Sequence, residues 1–494
     1  MKNQIASAAA IFIFLLGSPV ARAQNLYYNP AAASGASWFA ANQWNDTGFS
    51  DPFDQTWVDG NFANFNFSAI KIVAIDSADV AVAGLVNNSA TEAWISSGSS
   101  KAVVFDGGSI SGAFNIRGSA NLSGTIEKTG GALVYMEQGT GTFSGTYTNQ
   151  AGTSRFNPAA LSASSNFVVN AGTLGFQAGD TYAAVGSMTV NGGEMSVGRF
   201  SGTAVSVTIS SLSGTGGTIL PRLGSASNIS SLIVNQASNT TYSGTVAGVS
   251  IFTGTNYLAF TKSGTGSLTL NGSTVNLRQG TTVSGGTLLL NGGSTRNFEN
   301  LSGSNAITVA NQGSLGGTST ISVHGGDSVL VQDGGSLAAG NGIGTAGRTI
   351  FTFIAGGSLD LGGVTTGSNW LHFDLGALTT PGTTYDQIRV TNGTLSIGTG
   401  LLNFNDFAFN ALAGIEEGTY VLFDLTGSSS LSGTLGSSLS GGIGVGYSGT
   451  LSQSGNNIVL EVVPDPGSAV LSVLGLGLVS LFVRRKRSLR GLSA

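Results

Sequence analysis

The sequence predicts an all-β protein, a β-solenoid (β-helix) of parallel coils, followed by a single C-terminal transmembrane helix. Apolar residues alternate with Thr or Ser in many short stretches, which is the pattern of half-buried strands. Similar stretches recur at a short, regular interval typical of one solenoid coil. An apolar run followed by arginines lies near the C-terminus and is just long enough to cross a bilayer.

The N-terminal region, residues 1–23, has the three-part plan of a secretory signal peptide. Lys2 supplies an early positive charge, Ile5 to Leu16 are apolar, and Ala21-Arg22-Ala23 places small residues before the cut. We expect signal peptidase to cleave after Ala23. A buried helix would need a polar face and a cap, and neither is visible here.

The next region, residues 24–100, is rich in aromatic residues. It contains four of the five tryptophans: Trp38, Trp44, Trp57 and Trp94. The first coil of a solenoid has an open edge that recruits other strands, and bulky side chains can close it. We therefore predict an aromatic N-terminal cap. The alternative is that exposed aromatic faces stack on sugars.

Residues 101–363 carry the repeats. Val169-Asn170-Ala171-Gly172-Thr173-Leu174 recurs as Val190-Asn191-Gly192-Gly193-Glu194-Met195, and Leu268 recurs as Leu288. Both shifts are about 20 residues, the length of one coil. A β-sandwich of antiparallel hairpins with Asn-Gly turns would give similar alternation. The spacing persists without a linker, which favours the solenoid. About twenty coils at ~4.8 Å would form a rod on the order of 100 Å long.

In residues 364–462 the alternating stretches become longer, as in Trp370 to Leu375 and Tyr385 to Val390. We predict a terminal β region that closes the rod.

Residues 463–494 form the C-terminal tail. Val463 and the motif Pro464-Asp465-Pro466 precede the apolar run Ala469 to Val483, and the basic cluster Arg484-Arg485-Lys486-Arg487 follows it. The run would anchor the chain in a membrane, with the basic cluster kept on the cytoplasmic side. The preceding chain would then face outward.

This order of motif, apolar helix and arginines resembles the PEP-CTERM sorting signal of Gram-negative bacteria. The resemblance implies an exosortase-type sorting enzyme as partner and a membrane-anchored intermediate that is later delivered to the cell surface or released outside the cell. The usual Pro-Glu-Pro is Pro464-Asp465-Pro466 here, with a side chain one methylene shorter. That difference bears on the efficiency of cleavage more than on recognition.

The repeats resemble autotransporter-associated β-strand repeats. The stretches Gly264 to Gly272 and Gly334 to Thr345 carry the likeness. That family implies a right-handed parallel β-helix exposed outside the cell. Its motifs are short and rich in glycine, so they indicate architecture more than activity.

Charge and composition limit the function classes. Of the 19 Lys and Arg residues, 12 lie in residues 24–466 beside 24 Asp and Glu, a net charge of −12. This charge disfavours nucleic acid as a partner. The chain has no cysteine, so burial and hydrogen bonds must supply its stability.

Candidate catalytic or metal-binding residues are few. His324 and His372 are the only histidines, and Asp327, Asp333 and Asp360 are scattered over different repeats. We predict no catalytic site, no metal site and no cofactor. The first hypothesis is a structural or adhesive protein of the cell surface or extracellular matrix. The second is a carbohydrate-active enzyme, a polysaccharide lyase or glycoside hydrolase, acting on exopolysaccharide.

Overall fold

The computed structural model describes residues 23–465 except 51, 99–100, 137–141, 158–160, 178–180, 200–204, 223–228, 249–255, 273, 293–295, 366–367 and 445. This part of the chain is all-β, with long parallel sheets stacked as a β-solenoid. It contains no α-helix, and a single 3₁₀ turn spans Phe404–Asp406. No helix among the described residues is both long and apolar enough to cross a bilayer. The predicted segment Ala469 to Val483 lies outside them.

The first part of the solenoid has two strands per coil, one in each of two parallel sheets. Glycine-rich turns join them. The strands are β1 (Asn25–Tyr28), β2 (Ala36–Ser37), β3 (Trp44–Asn45), β4 (Asn61–Phe65), β5 (Lys71–Ala74), β6 (Val80–Asn87), β7 (Ala93–Ser97), β8 (Ala102–Ser111), β9 (Phe114–Gly118), β10 (Asn121–Lys128), β11 (Leu133–Met136), β12 (Phe143–Asn149), β13 (Thr153–Phe156), β14 (Ser165–Val169), β15 (Thr173–Gln177), β16 (Thr181–Val190), β17 (Glu194–Arg199), β18 (Ser206–Ser213) and β19 (Thr218–Arg222).

The following coils have three strands, because a third parallel sheet is inserted between the first two along the chain. The strands are β20 (Ile229–Asn235), β21 (Thr240–Tyr242), β22 (Thr245–Ala247), β23 (Tyr257–Ser263), β24 (Ser267–Leu270), β25 (Val275–Leu277), β26 (Thr281–Val283), β27 (Gly286–Leu290), β28 (Arg296–Phe298), β29 (Asn305–Val309), β30 (Gly313–Gly316), β31 (Thr320–Val323), β32 (Ser328–Gln332), β33 (Ser336–Ala338), β34 (Arg348–Phe353), β35 (Ser358–Gly363), β36 (Leu371–Leu375), β37 (Gln387–Thr391), β38 (Thr394–Leu402), β39 (Phe407–Ala411) and β40 (Gly418–Thr426).

The C-terminal end closes with antiparallel strands. The chain adds one more strand to the first sheet and then folds back, so that the last strand pairs with both β40 and its own hairpin partner. Parallel stacking therefore continues well past residue 364, and only the final segment is antiparallel. The remaining strands are β41 (Ser430–Leu435), β42 (Ser440–Gly444), β43 (Tyr447–Ser454) and β44 (Asn457–Pro464).

The register of the sheets explains the sequence repeat. Val169 pairs with Val190 and Leu268 pairs with Leu288, each in a parallel ladder. Residues one sequence period apart are thus neighbours in consecutive coils, as predicted. The antiparallel sandwich is wrong for the repeats, because pairing between the described strands is antiparallel only at the two ends of the stack.

The rod is shorter than a constant period of about 20 residues predicts. The first sheet holds 18 strands, and all but the antiparallel β3 stack in parallel, one per coil. At ~4.8 Å per coil this gives a length of roughly 80 Å. Coils at both ends are longer, because Asn25 pairs with Phe62 in the first coil and Leu371 pairs with Phe407 in a late one. Both steps are far larger than the one from Leu268 to Leu288. The same length of chain therefore makes fewer coils.

The core is a set of apolar columns that run along the rod. In the third sheet, leucines occupy the same inward position of successive coils, and each is fully buried. Burying one such side chain contributes about 1.5–3 kcal/mol, so the column is a large stabilising term. Its members are Leu268, Leu288, Leu315, Leu337 and Leu371.

Two lysines interrupt the apolar interior. Lys128 and Lys262 have no exposed surface, and each is the last or next-to-last residue of a first-sheet strand. The Lys128 ammonium donates to the carbonyls of Gly130 and Ala151. The Lys262 ammonium donates to the carbonyls of Ser263, Gly264 and Gly285, the last at 3.1 Å. These contacts satisfy turn carbonyls inside the stack, at the cost of burying two positive charges.

An aromatic cluster fills the N-terminal end of the core. The rings of Trp38, Trp44 and Trp57 pack with centroids 4.8–5.1 Å apart, and Tyr28 meets Trp44 edge-on at 5.0 Å. The indole N–H of Trp44 donates to the carbonyl of Trp38 at 2.9 Å. The antiparallel strand β3 pairs with β1 beside this cluster. Aromatic bulk and an antiparallel strand together cover the first coil.

Candidate functional site

The predicted processing sites lie at the borders of the fold. Ala23 is exposed, and strand β1 begins two residues later. Pro464 is the last residue of β44, where it pairs with Tyr447. The Asp465 N–H donates to the carbonyl of Gly446 at 2.7 Å, and both Pro464 and Asp465 are exposed.

The other predicted residues of these signals, among them Ala21, Pro466, Arg484, Arg485, Lys486 and Arg487, lie outside the described residues.

The three aspartates considered as catalytic candidates do not share a site. Asp327 and Asp333 flank the same strand, β32, so the expectation that they lie in different repeats is wrong. About 20 Å still separates their backbones along the extended chain. Asp360 accepts a backbone N–H two residues away, from Gly362, at 2.9 Å, and Asp333 accepts that of Thr365 at 3.0 Å. Glycosidase carboxylates lie only ~5–9.5 Å apart. Here Asp360 binds the backbone of its own strand, β35, and Asp333 binds the backbone just after that strand.

The tryptophans offer little free surface for stacking on sugars. Trp38, Trp44 and Trp57 are buried in the aromatic cluster. Trp94 lies on the outer face of β7, but the guanidinium of Arg117 covers its ring, 4.1 Å from the centroid. Its indole N–H donates to Glu92 at 2.7 Å. The aromatic region therefore builds the core more than it builds a binding face.

The two histidines differ in setting. His372 lies on β36, and burial lowers its pKa while nearby Asp374 opposes the shift. His324 follows β31 and lines an open cavity of about 330 Å³ on the outer face of the second sheet. This polar cleft, as we call it, spans three consecutive coils and is lined by Asn276, Arg278, Asn297, Phe298, Glu299, His324 and Gly325.

The solenoid register builds the polar cleft. Asn276 of β25 pairs with Asn297 of β28, so their amides project from the same outward position of adjacent coils. Arg278 and Glu299 each follow one residue after these strands, and the Arg278 Nε lies 2.7 Å from the Glu299 carboxylate. His324 Nε2 lies 3.2 Å from Asn297 Oδ1. Side chains from three coils thus form one connected polar surface.

The ion pair dominates the electrostatics of the polar cleft. The hydrogen bond to Glu299 raises the pKa of the Arg278 guanidinium above its ordinary value, so this side chain is a permanent cation. Its side chain is 40% exposed, which leaves guanidinium N–H groups accessible from solvent. The charges of Arg278 and Glu299 cancel, so this pair supplies strong donors and acceptors without a net charge of its own.

A second carboxylate lies behind the polar cleft. Glu299 Oε1 and Asp327 Oδ2 lie 3.3 and 3.7 Å from the position that a Cβ on Gly325 would occupy. Burial raises the pKa of Asp327, the N–H donated by Asn300 opposes this, and the negative charge of Glu299 adds to it. Among the described residues, no group of three or more His, Asp or Glu side chains is arranged to hold a metal ion.

A larger cavity of about 560 Å³ lies at the end of the third sheet, between β39 and β42. Phe407 and Phe409 stack there with centroids 5.3 Å apart. The described lining has no charged side chain. The polar cleft, which combines charged groups and amides, is therefore the better candidate for a functional site.

Sequence reasoning missed Arg278 and Glu299, although a signal was present. The step from Asn276 to Asn297 equals the step from Arg278 to Glu299. The same step relates Val169 to Val190. Searching for this step among polar residues, as well as among apolar ones, would have paired Arg278 with Glu299.

Comparisons with known proteins give no family: no protein-family model matches the chain, and no curated protein matches it significantly.

Proposed function

We propose that this chain is an exported, right-handed β-solenoid rod that serves as a structural or adhesive component of a bacterial cell surface or extracellular matrix. One observation carries the proposal. The described fold starts at Asn25, two residues after the predicted signal-peptide cut, and ends at Pro464, inside the predicted sorting motif. The rod fills the interval between two predicted export signals.

The covered N-terminal end of the stack supports a role as a separate rod. Open strand edges recruit other strands and cause aggregation. The aromatic cluster and the antiparallel strand β3 cover the N-terminal end, whereas at the C-terminal end the antiparallel strands β42, β43 and β44 extend the second sheet. The sparse charge and long parallel ladders of the rod are typical of extended scaffolds.

The sorting step would use the exposed Pro464 and Asp465. In this proposal an exosortase-type enzyme recognises the motif while the run Ala469 to Val483 anchors the chain in the membrane. Strand β44 pairs on both sides, with β40 and β43. Cleavage beyond Asp465 would therefore leave every described strand in place and release an intact rod.

Truncation after Asp465 tests the anchor. The truncated chain lacks residues 466–494 but keeps all described strands, so we expect it to move from the membrane fraction to the soluble exported fraction. Quantitative immunoblots of cell fractions measure the change. The matched control Asp465→Glu restores the usual Pro-Glu-Pro and should keep the chain in the sorting route. An unchanged membrane fraction after truncation would refute the role of the tail.

The second candidate function is a carbohydrate-active enzyme. The observation in its favour is the approach of Glu299 and Asp327 to the same point beside Gly325. Against it, Asp327 is only 5% exposed and accepts the N–H of Asn300 at 2.5 Å, which is a turn-holding role. Incubation of the purified chain with neutral and acidic polysaccharides separates the two. Chain shortening that Glu299→Gln abolishes would overturn the structural role.

A further inference from the structure

We propose that the polar cleft binds an uncharged, hydroxyl-rich ligand, a neutral or N-acetylated oligosaccharide lying along the rod axis. The inference names a ligand for the proposed adhesive role, and it rests on that role only in placing the cleft outside the cell. Its basis is the juxtaposition of two stacked amides, a paired guanidinium and carboxylate, and a histidine in one cavity of about 330 Å³.

The paired charges of the cleft favour an uncharged ligand. Arg278 and Glu299 neutralise each other at 2.7 Å. Arg278 would attract an anionic ligand, but Glu299 would repel it. A cationic ligand would be attracted by Glu299 and repelled by Arg278. A neutral ligand avoids both penalties. Hydroxyl groups donate and accept at once, so a single sugar can bind a guanidinium and a carboxylate together.

The lining of the cleft offers little aromatic surface for stacking. Phe298 is 1% exposed, and the other ring among the described lining residues is the half-buried imidazole of His324, whose Nε2 lies 3.2 Å from Asn297 Oδ1. A nucleobase or other flat aromatic ligand would find only this small ring in this part of the cleft. Recognition must therefore come mainly from polar groups fixed in place. The amides of Asn276 and Asn297 supply both a donor and an acceptor each.

The coil repeat places similar side chains at regular intervals along the rod. Asn276 and Asn297 are paired neighbours, so their backbones are ~4.8 Å apart along the rod. A ligand with repeated units that lies along the rod meets a similar amide in consecutive coils. The volume of about 330 Å³ is at the lower end of the ~300–1,000 Å³ range of ligand pockets. The cleft therefore suits a short stretch of a polymer rather than a large compact ligand.

Titration calorimetry on the full-length chain in detergent tests the proposal. The probes are cellotetraose, tetra-N-acetylchitotetraose and a tetramer of galacturonate. We expect at least one of the two neutral probes to bind, and the galacturonate tetramer to bind at least tenfold more weakly than it. Asn297→Ala and Glu299→Gln should each weaken binding of the neutral probe by tenfold or more.

The matched control is Asn191→Ala, which removes an exposed asparagine amide that binds Asn170 at 3.0 Å, far along the chain from the cleft. It should bind the neutral probe as the parent does. Asn276→Ala is a second cleft variant in case Asn297→Ala disturbs folding, and circular dichroism checks each variant. Equal binding by folded cleft variants, preference for galacturonate, or no binding of either neutral probe would overturn the inference. The truncation experiment would remain unaffected by these results.

Discussion

Trp44→Ala is expected to destabilise the N-terminal coils by about 3–5 kcal/mol, the usual cost of removing a large buried aromatic side chain. Trp44 has no exposed surface, contacts four aromatic rings and holds the carbonyl of Trp38 through its indole N–H. Each coil of a solenoid contacts only its neighbours. The loss should therefore be local, and hydrogen exchange should show faster exchange in β1, β4 and β6 with little change in β24 and β27.

Trp94→Ala is the control for this experiment. Trp94 lies on the outer face and stacks under Arg117, so its removal should cost much less. We also expect Trp44→Ala to promote self-association, because an uncovered first coil exposes strand edges. Unchanged protection of β1 and β4 in Trp44→Ala would contradict the role of the aromatic cluster as the end of the core.

The second large effect is a rise in stability between pH 8 and 9.5. Burial lowers the pKa of Lys128 and of Lys262 to about 8 each, whereas an unfolded lysine titrates near ~10.4. Below pH 8 both states bind the proton and the full penalty of burying the charge is present. Above pH 8 the folded state releases protons that the unfolded state keeps, so stability increases with pH, by about 3 kcal/mol for the two lysines together.

Denaturant midpoints measured from pH 5 to 9.5 test this effect. Burial also raises the pKa of Asp386 to about 8, so this group favours folding at low pH and loses that contribution as pH rises to 8. Stability should therefore pass through a minimum near pH 8. The double variant Lys128→Met, Lys262→Met should lose the rise above pH 8 and keep the fall below it. A flat curve above pH 8 in the parent chain would contradict the prediction.

The repeat was predictable from the sequence because inward side chains must match in every coil. Leu268 and Leu288 each fill the same column, so the apolar pattern records the coil length directly. The lengthening of later coils was predictable only in part. The longer alternating stretches of residues 364–462 indicate longer strands, such as the nine residues of β38, but residues added between strands leave no such pattern. The pairing of Thr394 with Ser430, for example, closes a much longer coil.

The buried polar residues were harder to predict than the apolar ones. Lys128 and Lys262 occupy interior positions where an apolar side chain would be expected, and only the turn carbonyls around them explain their presence. The polar cleft was missed for a related reason. A whole coil of sequence separates Arg278 from Glu299, and another separates Glu299 from His324. Only the stacking of three coils brings these side chains together.

Disulfide trapping tests the parallel stacking most directly, because the chain has no cysteine of its own. Thr269 and Leu289 pair in the parallel ladder of β24 and β27, and both point outward as half-buried residues. Their Cα atoms should lie ~5 Å apart, within the range of a disulfide. If the same two segments formed an antiparallel hairpin that paired Thr269 with Thr287, Ser267 would instead lie opposite Leu289.

The parallel solenoid predicts that the variant Thr269→Cys, Leu289→Cys forms an intramolecular disulfide under mild oxidation, while the variant Ser267→Cys, Leu289→Cys does not. Mass spectrometry of the proteolysed chain identifies the linked peptides. Rapid closure of the second pair without the first would contradict the stacking of coils on which the whole account of this protein depends.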